Sequence, residues 1–421
     1  MNFIGSGEAS PTNSHVGVIE ALRVHGPLPR SELAEKLGLS RAALTKISAA
    51  MIQIGALRET GTAPLDGARK RGQPLALRGE FGYTAGVQLR DEHVDVIAMD
   101  FAGVVRAVSR HDVDRSIHPR DFLVRAWDAV RSTFRSAGIR ESEVLGIGIA
   151  LPGLVDHARG VSRWVPGFPS WSDAPLQSMM EEISGLPTLV SWRAYAAATG
   201  ELWWGAHRRE RDFVFVNVDN GVGMAIVNER KVIRGHQGFA GMIGHLPIPG
   251  GTRRCVCGNR GCLQTIVSVP ALIHQVVEAQ LDGVNSVLTR IDPPRQVTFA
   301  DLVEAAEARD PLALRIFDEA ADALAVCLAA IVHLLNPPVI VIGGALAQAK
   351  PVIADSLRRG VERRLLGPDY QAVKLAFSGL TPDSATVGSA TMILDAVLPA
   401  LFRSSSAARP AVSAGPAEAS S

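Results

Sequence analysis

The sequence predicts an α/β protein in three parts: an N-terminal winged helix-turn-helix, then two α/β lobes around a cleft. Three observations carry this. Residues 15–57 hold three short helical patterns separated by glycine-bearing turns. From Phe81 onward, apolar strand-like runs such as 144–150 and 339–342 alternate with helical stretches and end in glycine turns, the texture of open α/β halves. The segment Gly244 to Cys262, GHLPIPGGTRRCVCGNRGC, contains three of the chain's four cysteines and a histidine.

At 421 residues the chain exceeds one ordinary core, so two or three domains are expected. Hydrophobic residues at 47% and charged residues at 20% describe a folded protein. A net charge of +1 excludes a whole-molecule attraction to nucleic acid, so any DNA-binding surface must be local. The start, MNFIGSGEASPTNS, lacks the basic and apolar regions of a signal peptide. The longest apolar candidate, residues 325–335, is shorter than the roughly 18 residues a membrane span needs. The expected compartment is therefore the cytoplasm, with no membrane partner.

Residues 1–13 are small and polar and are expected to be disordered. The winged unit is expected over 14–80. Val16, Val18, Ile19 and Leu22 form the apolar face of a first helix that Gly26-Pro27 ends. SELAEKLG gives a second, with Ser31 as its expected cap, and Gly38 turns the chain into a third that opens at Ser40. A helix-turn-helix places the early residues of its last helix in the major groove. Here these are Ser40, Arg41, Ala42, Thr45 and Lys46. Arg41 can donate two hydrogen bonds to guanine, Ser40 and Thr45 can reach phosphate or base edges, and Lys46 can neutralise phosphate. Beyond Leu57, a loop carrying Arg69, Lys70, Arg71 and Gln73 leads to the strand LALR, the layout of a wing whose basic tip can enter the minor groove. Over residues 1–80, Lys and Arg exceed Asp and Glu by three, the sign DNA requires.

The first lobe is expected over 81–200, with strands at 83–87, 94–99, 144–150 and 187–191 and helices at 122–137 and 194–204. The second is expected over 201–402. It opens with strand 213–218, the turn DNGVG and strand 224–227, and later holds a long helix stopped by Asn336-Pro337-Pro338 and the strand VIVIGG. Residues 403–421, rich in Ser, Ala and Pro, are expected to be disordered. Cys327 lies within an apolar helical pattern and reads as a buried thiol.

His245, Cys255, Cys257 and Cys262 supply imidazole and thiolate, the ligands zinc prefers. Four such ligands close a tetrahedral shell and leave no position for a catalytic water, so the reading is a structural Zn2+ site. Gly258 and Gly261 let the backbone return Cys262 to the ion.

GIGIALPGLVD at 146–156, AYAAATGE at 194–201, GVG at 221–223, GFAGMIGH at 238–245, the GH…CxCGxxGC pattern of the cysteine segment, and VIGGAL at 341–346 together resemble the ROK family of bacterial repressors and sugar kinases. The resemblance spans about residues 14–400. It implies an actin-like, ribonuclease H-like ATPase fold behind the winged unit and sets His245, Cys255, Cys257 and Cys262 on the family's four metal ligands. It also exposes departures. The kinase pattern DxGGTK falls on Gln88, Arg90, Asp91, Glu92 and His93, and the catalytic aspartate of ENDAN falls on Arg193. A guanidinium that stays protonated cannot act as a general base. The family's sugar-holding positions carry Gly167, Trp192, Arg193, Met242, His245 and Gln264, of which only the histidine keeps the family's residue. The wing's common GRP reads Gly72-Gln73-Pro74, with Arg71 one place earlier.

The implied activity is a DNA-binding transcriptional regulator, a repressor without enzymatic activity, bound as a homodimer or tetramer to an inverted-repeat operator in double-stranded DNA. The cleft is open to three readings. It takes an altered effector, sugar-like or anionic, with Arg193 as a fork and Trp164, Trp171 or Trp192 as a stacking face. It is an effector-free scaffold. Or Arg193 pairs with a carboxylate such as Glu201 and fills the space.

Overall fold

The computed structural model describes residues 11–61, 73–291, 296–367, 373–380 and 383–403. The winged unit consists of α1 (Pro11–His25), β1 (Leu28–Pro29), α2 (Arg30–Leu37), α3 (Arg41–Gln53), β2 (Leu57–Glu59) and β3 (Pro74–Leu77). Helix α1 starts four residues before the expected His15, so residues 11–13, assigned above to a disordered start, are helical. Gly38, at φ 63°, ends α2 with its amide on Ala34 and Glu35 carbonyls, and Ser40 caps α3 by accepting from the Ala43 amide at 3.1 Å. The expected Ser31 cap does not form. Pro29 stands at the N-cap of α2 without a side-chain bond, because the chain enters this helix directly from β1. Strand β3 pairs antiparallel with both β1 and β2, completing the wing's base. Arg69, Lys70 and Arg71 lie outside the described residues.

The first lobe is built from β4 (Tyr83–Leu89), β5 (His93–Asp100), β6 (Val105–Asp112), α4 (Pro119–Ser136), β7 (Val144–Leu151), β8 (Leu154–Asp156), β9 (Val161–Trp164), α5 (Leu176–Ser184) and β10 (Thr188–Trp192). Its five-stranded sheet runs β10-β7-β4-β5-β6, antiparallel from β4 to β6 and parallel from β4 to β10. Helix α6 (Arg193–Trp204) then crosses to the second lobe, made of β11 (Phe213–Val218), β12 (Val222–Asn228), β13 (Lys231–Ile233), α7 (Gln264–Val267), α8 (Val269–Leu281), α9 (Phe299–Glu307), α10 (Pro311–Leu335), β14 (Val339–Gly343), α11 (Lys350–Glu362) and β15 (Lys374–Phe377). The order β13-β12-β11-β14-β15 repeats the first lobe's plan, three antiparallel strands extended by two parallel ones.

The last helix, α12 (Ser384–Arg403), corrects the assignment of 201–402 to one lobe. It returns to the first sheet, packing on β4, β7 and α6. The approach is close enough that a Cβ on Gly148 would lie 1.9 Å from the Ser389 carbonyl and one on Gly388 would lie 1.7 Å from that of Ala196. The helix also corrects the apolar inventory: Ser384–Phe402 is long and apolar enough to cross a membrane, with a mean hydropathy of 1.6, yet most of it is buried in the protein. Val387, Ala390, Leu394, Leu398 and Phe402 share one core with Val18, Ile19 and Leu22 of α1, Leu44 and Met51 of α3, and Ile97 and Met99 of β5. The winged unit is thus packed onto the first lobe through α12.

Candidate functional site

Open α/β sheets bind ligands in the crevice beyond the carboxyl ends of their strands. Here those ends are Pro152-Gly153 after β7, Trp192 at the end of β10 and Asn217 in β11, and they open into one cavity of about 1070 Å³ between the lobes. Gly167, Trp192, Arg193, Met242, His245 and Gln264 all line it, as does Trp164. Trp171 does not. It is fully buried, stacks edge-on against Phe122 at 4.8 Å, and donates from Nε1 to the Ile117 carbonyl at 3.0 Å, so it is a core residue of the first lobe.

Arg193 is the first residue of α6, and Trp192 at the N-cap offers no side-chain acceptor. The guanidinium is 8% exposed, and its nearest carboxylate oxygen, Oδ2 of Asp219, is 3.9 Å away. The pairing of Arg193 with Glu201 is not found. Glu201 lies two turns along the same helix, about 12 Å away, and accepts instead from the hydroxyls of Ser378 and Ser384. Burial pushes the Glu201 carboxyl up, an effect those two hydroxyls only partly offset.

Beside the cavity lies an ion-pair junction that sequence reasoning missed. Arg90, one residue past β4, donates from Nε to Asp95 at 2.6 Å, from one terminal nitrogen to Asp219 at 2.7 Å and from the other to Asp383 at 2.7 Å. Asp95 belongs to the first sheet and Asp219 follows β11 of the second. Asp383 caps α12, accepting from the Ala385 and Thr386 amides at 2.8 and 2.9 Å. One guanidinium therefore ties both lobes and the C-terminal helix together. Burial would raise the Asp95 and Asp219 carboxyls, but the surrounding guanidiniums hold both below the usual range: Arg110 and Arg90 at Asp95, Arg193 and Arg90 at Asp219. Only one signal pointed here, the arginine standing where a kinase would keep a phosphate-loop glycine.

The ligand atoms of His245, Cys255, Cys257 and Cys262 lie within 4.8 Å of one another and could hold a metal ion. Cys255 Sγ is 3.6 Å from His245 Nδ1, and Cys257 Sγ is 3.7 Å from Cys262 Sγ. A tetrahedral zinc with Zn–S of about 2.3 Å separates its sulfurs by about 3.8 Å, so the spacing fits that ion. Burial, with Cys257 and Cys255 adding to it, pushes the Cys262 thiol up to about 12, and three sulfurs this close need a cation to ionise together. Burial also lowers the His245 imidazole, which favours the neutral form a metal takes. Gln264 joins the centre to the cavity: it lines the cavity while its amide donates to Cys255 Sγ at 3.2 Å.

On the winged unit, Ser40, Arg41, Ala42, Thr45 and Lys46 are exposed along the start of α3, and Gln73 is exposed before β3. Thr45 returns its hydroxyl to the Arg41 carbonyl at 2.8 Å, leaving its oxygen as an acceptor toward solvent.

Comparison with known proteins agrees with this architecture. The chain is 26% identical over 381 residues to a putative xylose repressor of Caldicellulosiruptor sp. (strain Rt8B.4), covering 90% of this chain and 95% of the relative. A crystal structure of a ROK family transcriptional regulator, a homolog of the E. coli MLC protein, superposes with a TM-score of 0.75 and 27% identity, covering 93% of this chain and 99% of the other. A ROK family glucokinase from Streptomyces griseus, solved with glucose and AMPPNP, gives a TM-score of 0.65 at 26% identity but covers only 74% of this chain and 99% of its own. The family pattern itself matches residues 85–396, beginning within β4 and ending within α12. The chain belongs to the ROK family.

Proposed function

We propose that this chain is a ROK-family transcriptional repressor that binds an inverted-repeat operator as a homodimer or tetramer, acts in the cytoplasm, and is controlled by a small molecule in the cleft. The observation that carries this is the pairing of an exposed polar recognition helix with a kinase-type cleft in which Arg193 stands at the position of the base. Helix α6 supplies a physical connection. Arg193 faces the cavity at its start, and about 15–17 Å along Trp203 and Trp204 hold the Arg23 guanidinium of α1 between them, 5.4 Å from each ring centroid. Asp395 of α12 pairs with the same guanidinium. A shift of the lobes therefore reaches the winged unit through packed side chains and an ion pair.

Operator binding is the direct test. The full chain is expected to retard DNA from upstream of its own gene, with an affinity that falls steeply as salt rises. Arg41→Ala is expected to cost about 1–3 kcal/mol of binding and to relax base preference at one position. Equal affinity for operator and scrambled DNA would overturn the reading.

His245, Cys255, Cys257 and Cys262 would hold Zn2+ as a structural ion, fixing the loop that carries Met242 and Gln264 into the cavity. Elemental analysis should find about one zinc per chain, and Cys257→Ser should remove most of it. A metal-free preparation that still melts at the same temperature as the metal-containing one would contradict a structural role.

A further inference from the structure

Resting on the effector reading above, we infer that the cleft's effector is an anionic sugar derivative, a carboxylate or a phosphate ester, whose charge is held by Arg193 at the start of α6. The Arg193 side chain is more than nine-tenths buried, faces the cavity and makes no side-chain hydrogen bond among the described residues. Its one nearby acid among the described residues cannot complete it. Asp219 is 3.9 Å away, beyond hydrogen-bond reach, and its Oδ2 already accepts from Arg90 at 2.7 Å. A buried guanidinium without a bidentate partner is costly, and a neutral sugar would leave it that way. A carboxylate or phosphate offers the two parallel acceptors that its fork fits.

Two further features point the same way. The twelve residues of α6 direct the positive end of the helix dipole at the spot where Arg193 sits, and no side chain caps it. The other charges around the cavity also leave it positive. The acids on its lining are already engaged, Asp91 by Arg115 at 3.4 Å and Glu278 by Arg253 and by His274 at 3.3 Å, whereas Arg254 is exposed and has no ion pair among the described residues. Trp192 and Met242 give the neighbouring wall an apolar face for the uncharged body of the ligand. Replacement of the sugar-holding residues is then a change of ligand charge, with the cavity retained.

The test is calorimetric titration of the full chain with gluconate, glucuronate and glucose 6-phosphate, with glucose and inorganic phosphate as controls. At least one of the three anions is expected to bind at least ten-fold tighter than glucose, and the one that does tells carboxylate from phosphate. Arg193→Met should weaken that anion roughly 10- to 100-fold, the worth of a charge-assisted bidentate contact. Arg193→Lys, which keeps the charge but not the fork, should lose part of it. If the methionine variant fails to fold, the lysine variant decides alone: unchanged affinity overturns the inference. So does an equal response to glucose, an absence of binding by all three anions, or an anion affinity that survives Arg193→Met, which would place the anion elsewhere, such as on the basic winged unit. Operator retardation on the same preparation separates the two levels. A chain that shifts its operator but ignores the anions loses this inference and keeps the repressor reading, whereas a chain that binds the anions but no operator does the reverse.

Discussion

Arg90→Met is expected to destabilise the protein by about 3–5 kcal/mol at pH 7, the usual cost of removing one partner from a buried ion pair. Arg90 satisfies Asp95, Asp219 and Asp383 at once, and the three carboxylates are only 7%, 10% and 20% exposed. Methionine fills much of the volume but leaves Asp383 without its guanidinium, and leaves Asp95 with Arg110 at 2.8 Å and Asp219 with the more distant Arg193 at 3.9 Å. Urea unfolding measures the loss, and its pH dependence identifies the cause. In the wild type, Asp95 and Asp219 ionise below the usual range because their guanidinium partners outweigh burial. A lowered folded pKa contributes stability that is present above the unfolded value of about 3.9 and is lost as pH falls through the folded value. In the variant, burial acts with less opposition and raises the acids, so protonation relieves it as pH falls from 7 toward 4. The gap between the two proteins should therefore narrow on acidification. A gap that stays constant from pH 7 to pH 4 would show that lost packing, not stranded charge, is responsible. Arg90→Lys should recover little, since a single ammonium cannot present three donors in the three directions these acids require.

What was readable from the sequence was chemistry held within a short segment. Ser40 before a helical pattern and Gly38 in the turn before it are local signals, and both sit where expected. His245 and the three cysteines lie within one stretch whose glycines dictate its turns. The features that were not readable depend on what a residue meets from far along the chain. Arg90 registered only as a lost glycine, because its partners Asp219 and Asp383 are 129 and 293 residues away. Trp164 and Trp171 are seven positions apart and equally aromatic, yet one lines the cavity and the other fills the core against Phe122 and Phe168. The apolar pattern of α12, passed over in favour of residues 325–335, does not say which sheet the helix covers. Its one glycine, Gly388, and its small residues could have said so, since they fit a helix laid directly on backbone.

Gly388→Val is expected to give the largest loss of all, above the ~1–3 kcal/mol typical of overpacking a core. Glycine inside a helix costs roughly 1 kcal/mol relative to alanine, so its presence in α12 calls for a compensating contact. The contact is backbone on backbone: a Cβ at 388 would lie 1.7 Å from the Ala196 carbonyl oxygen, and one at Gly200 would lie 2.5 Å from the Ser384 carbonyl. No rotamer change relieves such a clash, so α6 and α12 must separate. Even Gly388→Ala should therefore lower the melting temperature despite its better helix propensity, and valine should leave little soluble protein. Gly379→Ala is the control. Among the described residues nothing lies within 4 Å of its Cβ position, and it should be close to neutral. Because Leu394 and Leu398 of α12 share a core with Val18 and Ile19 of α1, the winged unit should unfold with the first lobe. In Gly388→Ala, tryptophan fluorescence, dominated near this junction by Trp203 and Trp204, and operator binding should then fail over the same temperature range. Operator binding that outlasts the fluorescence change would mean that the winged unit stands independently of α12, and the path from cleft to DNA would have to run elsewhere.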